Sequence, residues 1–141
     1  RCAMSDLTLL ANQYAASAEF LKGMNSALLR IKKAQFGVGG GEASPAELRR
    51  SRDELAQLVE AVYARLSNEA GRTVMVPEEL LERLRAEYGT QLSWRLPDLQ
   101  EAIMALRGSE PLGERALKTL DELCGAADAT ASASFRRLWR R

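Results

Sequence analysis

The first part of the chain carries a long apolar stripe that a helix would gather on one side. Apolar residues recur there at alternating steps of three and four, the spacing of a coiled-coil seam. Residues 7–18 include no charged side chain at all, so the other faces of this helix also lack charge. A helix with so little polar surface needs neighbours on more than one side. The seam consists of Leu7, Leu10, Tyr14, Leu21, Met24, Leu28 and Ile31.

The first predicted helix is bounded by a capping residue and a glycine-rich stretch. Ser5 or Asp6 can accept hydrogen bonds from the free amides of a first turn, so the helix is expected to begin there and to continue to about Gln35. Residues 37–41 then interrupt it, because glycine loses the most backbone entropy when it is ordered.

The second helix has the clearest start signal in the chain. Ser44 can act as the N-cap, Pro45 suits the first helical position, and Glu47 can reach back to complete a capping box. The helix is predicted to end at about Ala70, before a glycine. Two long helices joined by a short link predict an antiparallel hairpin over residues 5–71.

The rest of the chain is predicted to form about four shorter helices, separated by prolines and glycines. We expect them at residues 77–89, 97–108 and 111–125, with a last helix from Ala126 onward. No alternating strand pattern is flanked by hairpin turns. The sequence therefore predicts an all-α helical bundle in a single domain, residues 1–141, in which the long hairpin is joined by a short-helix cluster at residues 72–141.

The charge and the cysteine content indicate which partners and which cellular location to expect. The formal net charge is +1, from 20 basic and 19 acidic residues, so the chain lacks the global positive field of a dedicated polyanion binder. Cys2 and Cys124 form neither a metal-ligand spacing nor a disulfide framework. No uncharged run reaches the roughly 20 apolar residues that cross a bilayer, and no leader pattern is visible. We expect a cytoplasmic protein that does not bind membranes.

Catalytic chemistry has little support in this composition. The chain has no histidine, which excludes the triads that use an imidazole base. Glu78, Glu79 and Glu82 fall at the start of a predicted helix, where the helix dipole favours acidic residues, and we find no spacing that would hold a divalent ion. We expect a non-enzymatic protein with no metal, no cofactor and no small-molecule substrate.

Basic clusters allow an interaction with nucleic acid. Residues 135–141 contain four arginines and two aromatic side chains but no acid. Such a segment can pair with phosphates and stack on unpaired bases. The alternative is that the aromatic residues anchor the last helix while the arginines cover its outside. The candidate nucleic-acid contacts are Arg30, Lys32, Lys33, Arg49, Arg50, Arg136, Arg137, Trp139, Arg140 and Arg141.

The opening helix is the candidate surface for a protein partner or for self-association. Depletion of charge with enrichment of aromatic residues and methionine is typical of an interface core, although the core of a single chain shares this signature. The candidate contacts are Leu7, Leu10, Tyr14, Phe20, Leu21, Met24 and Leu28. We expect a scaffold, an adaptor or a small subunit of a larger complex. The alternative is a nucleic-acid-binding accessory subunit, which is comparable only in size and helicity to the small helical subunits of RNA-guided effector complexes.

Overall fold

The computed structural model describes residues 3–37, 44–67, 76–87 and 92–139, with side chains described between residues 18 and 133 of these ranges. This part of the chain is all-α, as the sequence predicts. Its helices are α1 (Ala3–Phe36), α2 (Pro45–Leu66), α3 (Glu78–Glu87), α4 (Leu96–Arg107) and α5 (Glu114–Trp139).

Five helices replace the six that we predicted, because α5 continues through Gly125. A glycine inside a helix costs about 1 kcal/mol relative to alanine. Burial of the residues on both sides offsets that cost, since Cys124, Ala126 and Ala127 all lie in the core. The prediction that Gly125 ends a helix is therefore wrong.

The predicted start of α2 is confirmed. The Ser44 hydroxyl accepts a hydrogen bond from the Glu47 amide at 3.1 Å, and the Glu47 carboxylate accepts one from the Ser44 amide at 3.2 Å. These bonds lower the pKa of the Glu47 carboxyl below its ordinary value, because they favour the charged form. At its other end α2 stops at Leu66, before the predicted Ala70, and the Ser67 hydroxyl donates to the Tyr63 carbonyl at 2.8 Å.

Four of the helices pack in a ring. Helix α1 contacts α2 and α5, and α4 contacts the same two helices from the other side. Within the described ranges the backbones of α1 and α4 are not adjacent, so these helices stand diagonally across the ring, with α2 and α5 between them. Helix α3 packs on α5 and α2.

The core runs through the centre of this ring and draws on all five helices. Leu21 and Met24 of α1 belong to one cluster with apolar side chains of α2, α4 and α5, and α3 contributes its leucines. Among the largest fully buried side chains are Ile31, Leu55, Leu80, Leu84, Leu99, Leu106, Leu120 and Leu123. Apolar stripes at helical spacing thus supply the core, as the sequence pattern indicates.

Two observations define the register between α1 and α2, that is, which residues of the two helices lie side by side. A Cβ placed on Gly23 would lie 3.5 Å from the Leu58 side chain, and Arg30 Nε donates to Ser51 Oγ at 3.0 Å. Higher-numbered residues of α1 therefore lie beside lower-numbered residues of α2. The glycine-rich link lies mostly at residues 38–43, outside the described residues, so the predicted hairpin with its turn stays a prediction.

Candidate functional site

The second half of the predicted interaction seam forms part of the chain's own core. Phe20, Leu21, Met24 and Leu28 are only 0 to 7% exposed. In this conformation their side chains are not accessible to a partner. The predicted contact surface therefore narrows to Leu7, Leu10 and Tyr14, whose side chains lie outside the described residues.

The backbone of α1 extends beyond the end of α2. Residue pairs such as Gly23 with Leu58 and Arg30 with Ser51 set the register between the two helices. When that register is continued, Leu66 at the end of α2 lies level with about residue 15 of α1. At 1.5 Å per residue, the remaining helical backbone back to Ala3 projects about 18 Å past α2.

Helix α5 accompanies α1 further than α2 does. Gln35 exchanges two hydrogen bonds with the backbone of Leu112, at 2.8 and 2.9 Å. At the next level along the bundle, Cys124 Sγ donates to the Met24 carbonyl at 3.7 Å. The same register places Trp139, the last residue of α5, near the level of about residue 9 of α1. One neighbour of the N-terminal half of α1 is therefore a helix of this chain, but α2 does not reach it.

Two of the predicted nucleic-acid contacts on α1 are held in ion pairs within the molecule. Arg30 reaches Glu54 of α2 at 3.0 Å, and Lys32 Nζ donates to Asp121 of α5 at 2.6 Å. Both pairs are partly exposed, so each contributes little stability. Their main consequence is that both cations are already neutralised on the surface where a phosphate would have to bind.

Two arginines of α2 hold the C-terminal end of α4. Arg49 donates to the carbonyls of Leu106, Arg107 and Gly108. Arg52, which is 4% exposed, donates to Leu106 at 3.1 Å and to Ala105 at 2.5 Å. Positive charge at this helix end also complements the helix dipole. Arg49 thus has a structural role in this fold, and its predicted contact with phosphate stays a prediction.

Burial has a clear electrostatic effect on this arginine pair. Desolvation lowers the pKa of the Arg52 guanidinium, the neighbouring Arg49 charge lowers it further, and Asp53 opposes the shift. The carbonyls of α4 satisfy the buried donors of Arg52. Sequence analysis missed this capping role because the partner carbonyls lie more than fifty residues away along the chain.

The remaining basic candidates do not form one patch. Lys33 and Arg50 are exposed, with no ion pair among the described residues. Arg136, Arg137 and Trp139 lie on the helical backbone of α5, but their side chains are outside the described residues, as are Arg140 and Arg141 altogether. By the register above, the backbone of Arg136 lies about 30 Å from Lys33 along the bundle.

Three large apolar side chains of the described residues are more than half exposed: Leu29 (53%), Phe36 (56%) and Met104 (72%). Leu29 and Phe36 share the outer face of α1, seven residues apart, and Met104 lies on α4. Sequence analysis did not single them out. A helical projection of α1 places Leu29 and Phe36 opposite the buried stripe. That position in the projection is the sequence signal that could have identified them as exposed.

The buried Cys124 is a free thiol. Burial raises the pKa of the Cys124 thiol to about 12, with Asp121 adding to the shift and Lys32 opposing it. A thiol of this kind is a poor nucleophile at neutral pH. Among the described residues no three histidine, cysteine or acidic side chains are grouped to bind a metal ion, and no helix is long and apolar enough to span a membrane.

Comparisons of the chain with protein-family models, with curated proteins and with solved structures returned no match.

Proposed function

We propose that the protein is a non-enzymatic interaction module, acting as a scaffold, an adaptor or a small subunit of a larger complex. Its contact surface is the N-terminal part of α1, where Leu7, Leu10 and Tyr14 continue the apolar spacing of the seam. The partner is another protein or a second copy of this chain. As part of the same proposal, α1 and α2 form a long antiparallel hairpin and the protein is located in the cytoplasm.

The observation that carries this proposal is the mismatch in length between α1 and α2. Helix α1 continues to Ala3, whereas α2 ends at Leu66, level with about residue 15 of α1. That projecting part contains most of the charge-free residues 7–18. A charge-free helix gains most from a neighbour that removes its apolar surface from water, and α2 ends too early to be that neighbour.

The test is isolation of the tagged full chain from the cell that produces it. We expect the wild-type chain to elute above the mass of one chain, together with a partner protein or a second copy. A variant with Leu7→Ala, Leu10→Ala and Tyr14→Ala removes apolar area while keeping helix propensity. We expect it to elute at the mass of one chain with its helical circular dichroism retained.

The matched control changes polar residues of the same stretch, with Thr8→Ala, Asn12→Ala and Gln13→Ala. This control is expected to keep the assembly. A wild-type chain that elutes alone as a monomer contradicts the proposal. So does a seam variant that keeps its partner, or a control that loses the partner to the same extent.

A second candidate is supported by the charge of the C-terminal segment. Residues 135–141 carry four arginines and no acid, and the described helix continues through Trp139. In this alternative the segment binds the backbone of single-stranded RNA or DNA. Binding should weaken steeply between about 50 and 200 mM salt and disappear when Arg136, Arg137, Arg140 and Arg141 become alanine. Binding that is insensitive to salt contradicts it.

A further inference from the structure

The last turns of α5 run beside the N-terminal part of α1. The register between these two helices places residues 135–139 of α5 level with about residues 9–13 of α1. The backbone of both helices is described over these residues. Three apolar residues of α5 therefore lie at the same level as the N-terminal part of the seam, which consists of Leu7, Leu10 and Tyr14; they are Phe135, Leu138 and Trp139.

The first part of α5 is held by several contacts with the rest of the chain. Leu120 is fully buried, and Asp121 accepts a hydrogen bond from Lys32 of α1 at 2.6 Å. The most C-terminal buried residue that the structure describes is Thr130, which is 2% exposed. Its hydroxyl accepts a hydrogen bond from Arg83 Nε of α3 at 3.1 Å. As far as Thr130, α5 is thus an integral part of the bundle.

The stretch that follows Thr130 holds α5 less strongly. Residues 131–133 are alanine, serine and alanine, of which the serine is exposed and the alanines are half-buried. Side chains this small bury little apolar area, and hydrophobic stabilisation is roughly proportional to that area. Residues 9–13 of α1 carry no charge, so they cannot form ion pairs with Arg136 or Arg137. A helix segment joined to the core in this way opens locally at a low cost in free energy.

We propose that residues 135–139 of α5 cover the N-terminal part of the seam in the free chain and are displaced when a partner binds there. This control of access rests on the proposed function, which supplies the partner. The apolar residues of the segment favour the closed position, because closure removes charge-free helix surface from water. The weak stretch at residues 131–133 allows a partner with a larger apolar surface to take the same place.

The first measurement is amide hydrogen exchange in the purified full chain, which needs no partner. A cover variant removes the apolar area of the segment and keeps its helix propensity; it carries Phe135→Ala, Leu138→Ala and Trp139→Ala. We expect residues 3–17 of α1 to exchange about tenfold faster in this variant, while the exchange of residues 20–33 stays unchanged. In the wild-type chain, residues 131–139 should exchange about tenfold faster than residues 114–130, because they open separately from the core.

The matched control carries Arg136→Ala and Arg137→Ala, which change the same segment but leave its apolar residues in place. We expect this control to keep the wild-type exchange of residues 3–17. Unchanged exchange of those residues in the cover variant overturns the inference, and so does an equal acceleration in the control. Faster exchange of residues 20–33 as well, or equal rates on both sides of Thr130 in the wild-type chain, overturns it too, because the segment would then be a fixed part of the core.

The second measurement compares the tagged wild-type chain and the cover variant after isolation from the cell that produces the protein. We expect the variant to retain more partner per chain, because a surface that is open only part of the time binds with reduced apparent affinity. Equal amounts of partner on both chains overturn the inference and leave the proposed function standing. Absence of a partner from both chains overturns the proposed function and the displacement together, even where hydrogen exchange shows that the segment covers α1.

Discussion

The two halves of α1 share an apolar spacing but differ in charge. The C-terminal half, from Ala18 to Phe36, buries its apolar stripe between α2 and α5 and sends Arg30 and Lys32 to ion pairs on either side. The N-terminal half continues the apolar spacing but has no charged residue between Leu7 and Ala18. Charged side chains at the edges of a buried stripe help to fix the register of a helix. The N-terminal half has no charged residue over that stretch, so no ion pair from residues 7–18 can fix its register against a neighbour.

The largest expected effect is the difference in stability loss between alanine substitution of a buried core residue and of a residue in the N-terminal part of the seam. Met24 is fully buried, and Met24→Ala should destabilise the isolated chain by about 2–5 kcal/mol, the usual cost of such a cavity. Leu10→Ala should cost less than about 1 kcal/mol in the isolated chain, if its partner is another molecule. Urea unfolding of both variants measures this difference. Equal losses would place Leu10 in the same core as Met24.

The second expected effect is a loss of stability at high pH that depends on Cys124. The folded thiol has a pKa of about 12, against an ordinary value of 9.0, so the folded state holds this proton more tightly than the unfolded state. The resulting stability is fully present below pH 9.0 and is lost as pH rises toward 12. The total is about 4 kcal/mol, from about 1.4 kcal/mol for each pH unit.

The difference in unfolding free energy between the wild-type chain and Cys124→Ala isolates this effect, because other groups that titrate in this range are common to both. We expect the wild-type chain to lose stability more steeply above pH 9.0. Parallel curves for the two chains would show that the thiol next to the Met24 carbonyl is not buried in solution.

A smaller effect is expected at Arg52, which lies on α2 beside the C-terminal half of α1. Arg52→Ala removes the hydrogen bonds that a buried, charged side chain donates to the carbonyls of Ala105 and Leu106, and such a loss costs about 1–3 kcal/mol. Arg50→Ala is the matched control, since Arg50 is exposed on the same helix. Its effect should stay within about 0.5 kcal/mol. Thermal unfolding of the two variants measures the contrast.

The smallest effect is expected at the ion pairs that flank the C-terminal half of α1. Lys32→Ala removes the contact with Asp121, and because both side chains are partly exposed the cost should be below about 1 kcal/mol. High salt should reduce the cost further. A double-mutant cycle with Asp121→Ala measures the pair. A coupling well above this limit would show that these charges, more than the buried stripe, hold α1 on α5.

Sequence signals within a few residues were sufficient to predict those features of the structure that depend on neighbouring residues. The Ser44 capping box was read directly from the sequence, and the leucines at helical spacing in α3 and α4 are buried as their pattern indicated. Gly125 shows the limit of such signals. Its own propensity favours a helix end, but the buried residues around it favour continuation of α5.

The burial and the contacts of the candidate site residues were harder to predict from the sequence. Phe20 and Met24 carry the same composition as an interface, yet they lie in the chain's own core, because both environments exclude water and select the same side chains. Arg49 was predicted as a phosphate contact, and in the structure its two terminal nitrogens donate to carbonyls at the end of α4. Nothing near Arg49 in the sequence indicates this partner.

The sequence alone determined the all-α class, the start of α2 and the apolar faces of the helices, because these depend on backbone preferences and on spacing within a few residues. Tertiary structure alone decided which of the described basic side chains are engaged, that Leu21, Met24 and Leu28 of the α1 seam are buried in the chain's own core, and which described apolar residues stay exposed on α1 and α4. Those outcomes depend on the register between helices, and that register is set by contacts such as Arg30 with Ser51 and Gln35 with Leu112, whose partners are far apart in the chain.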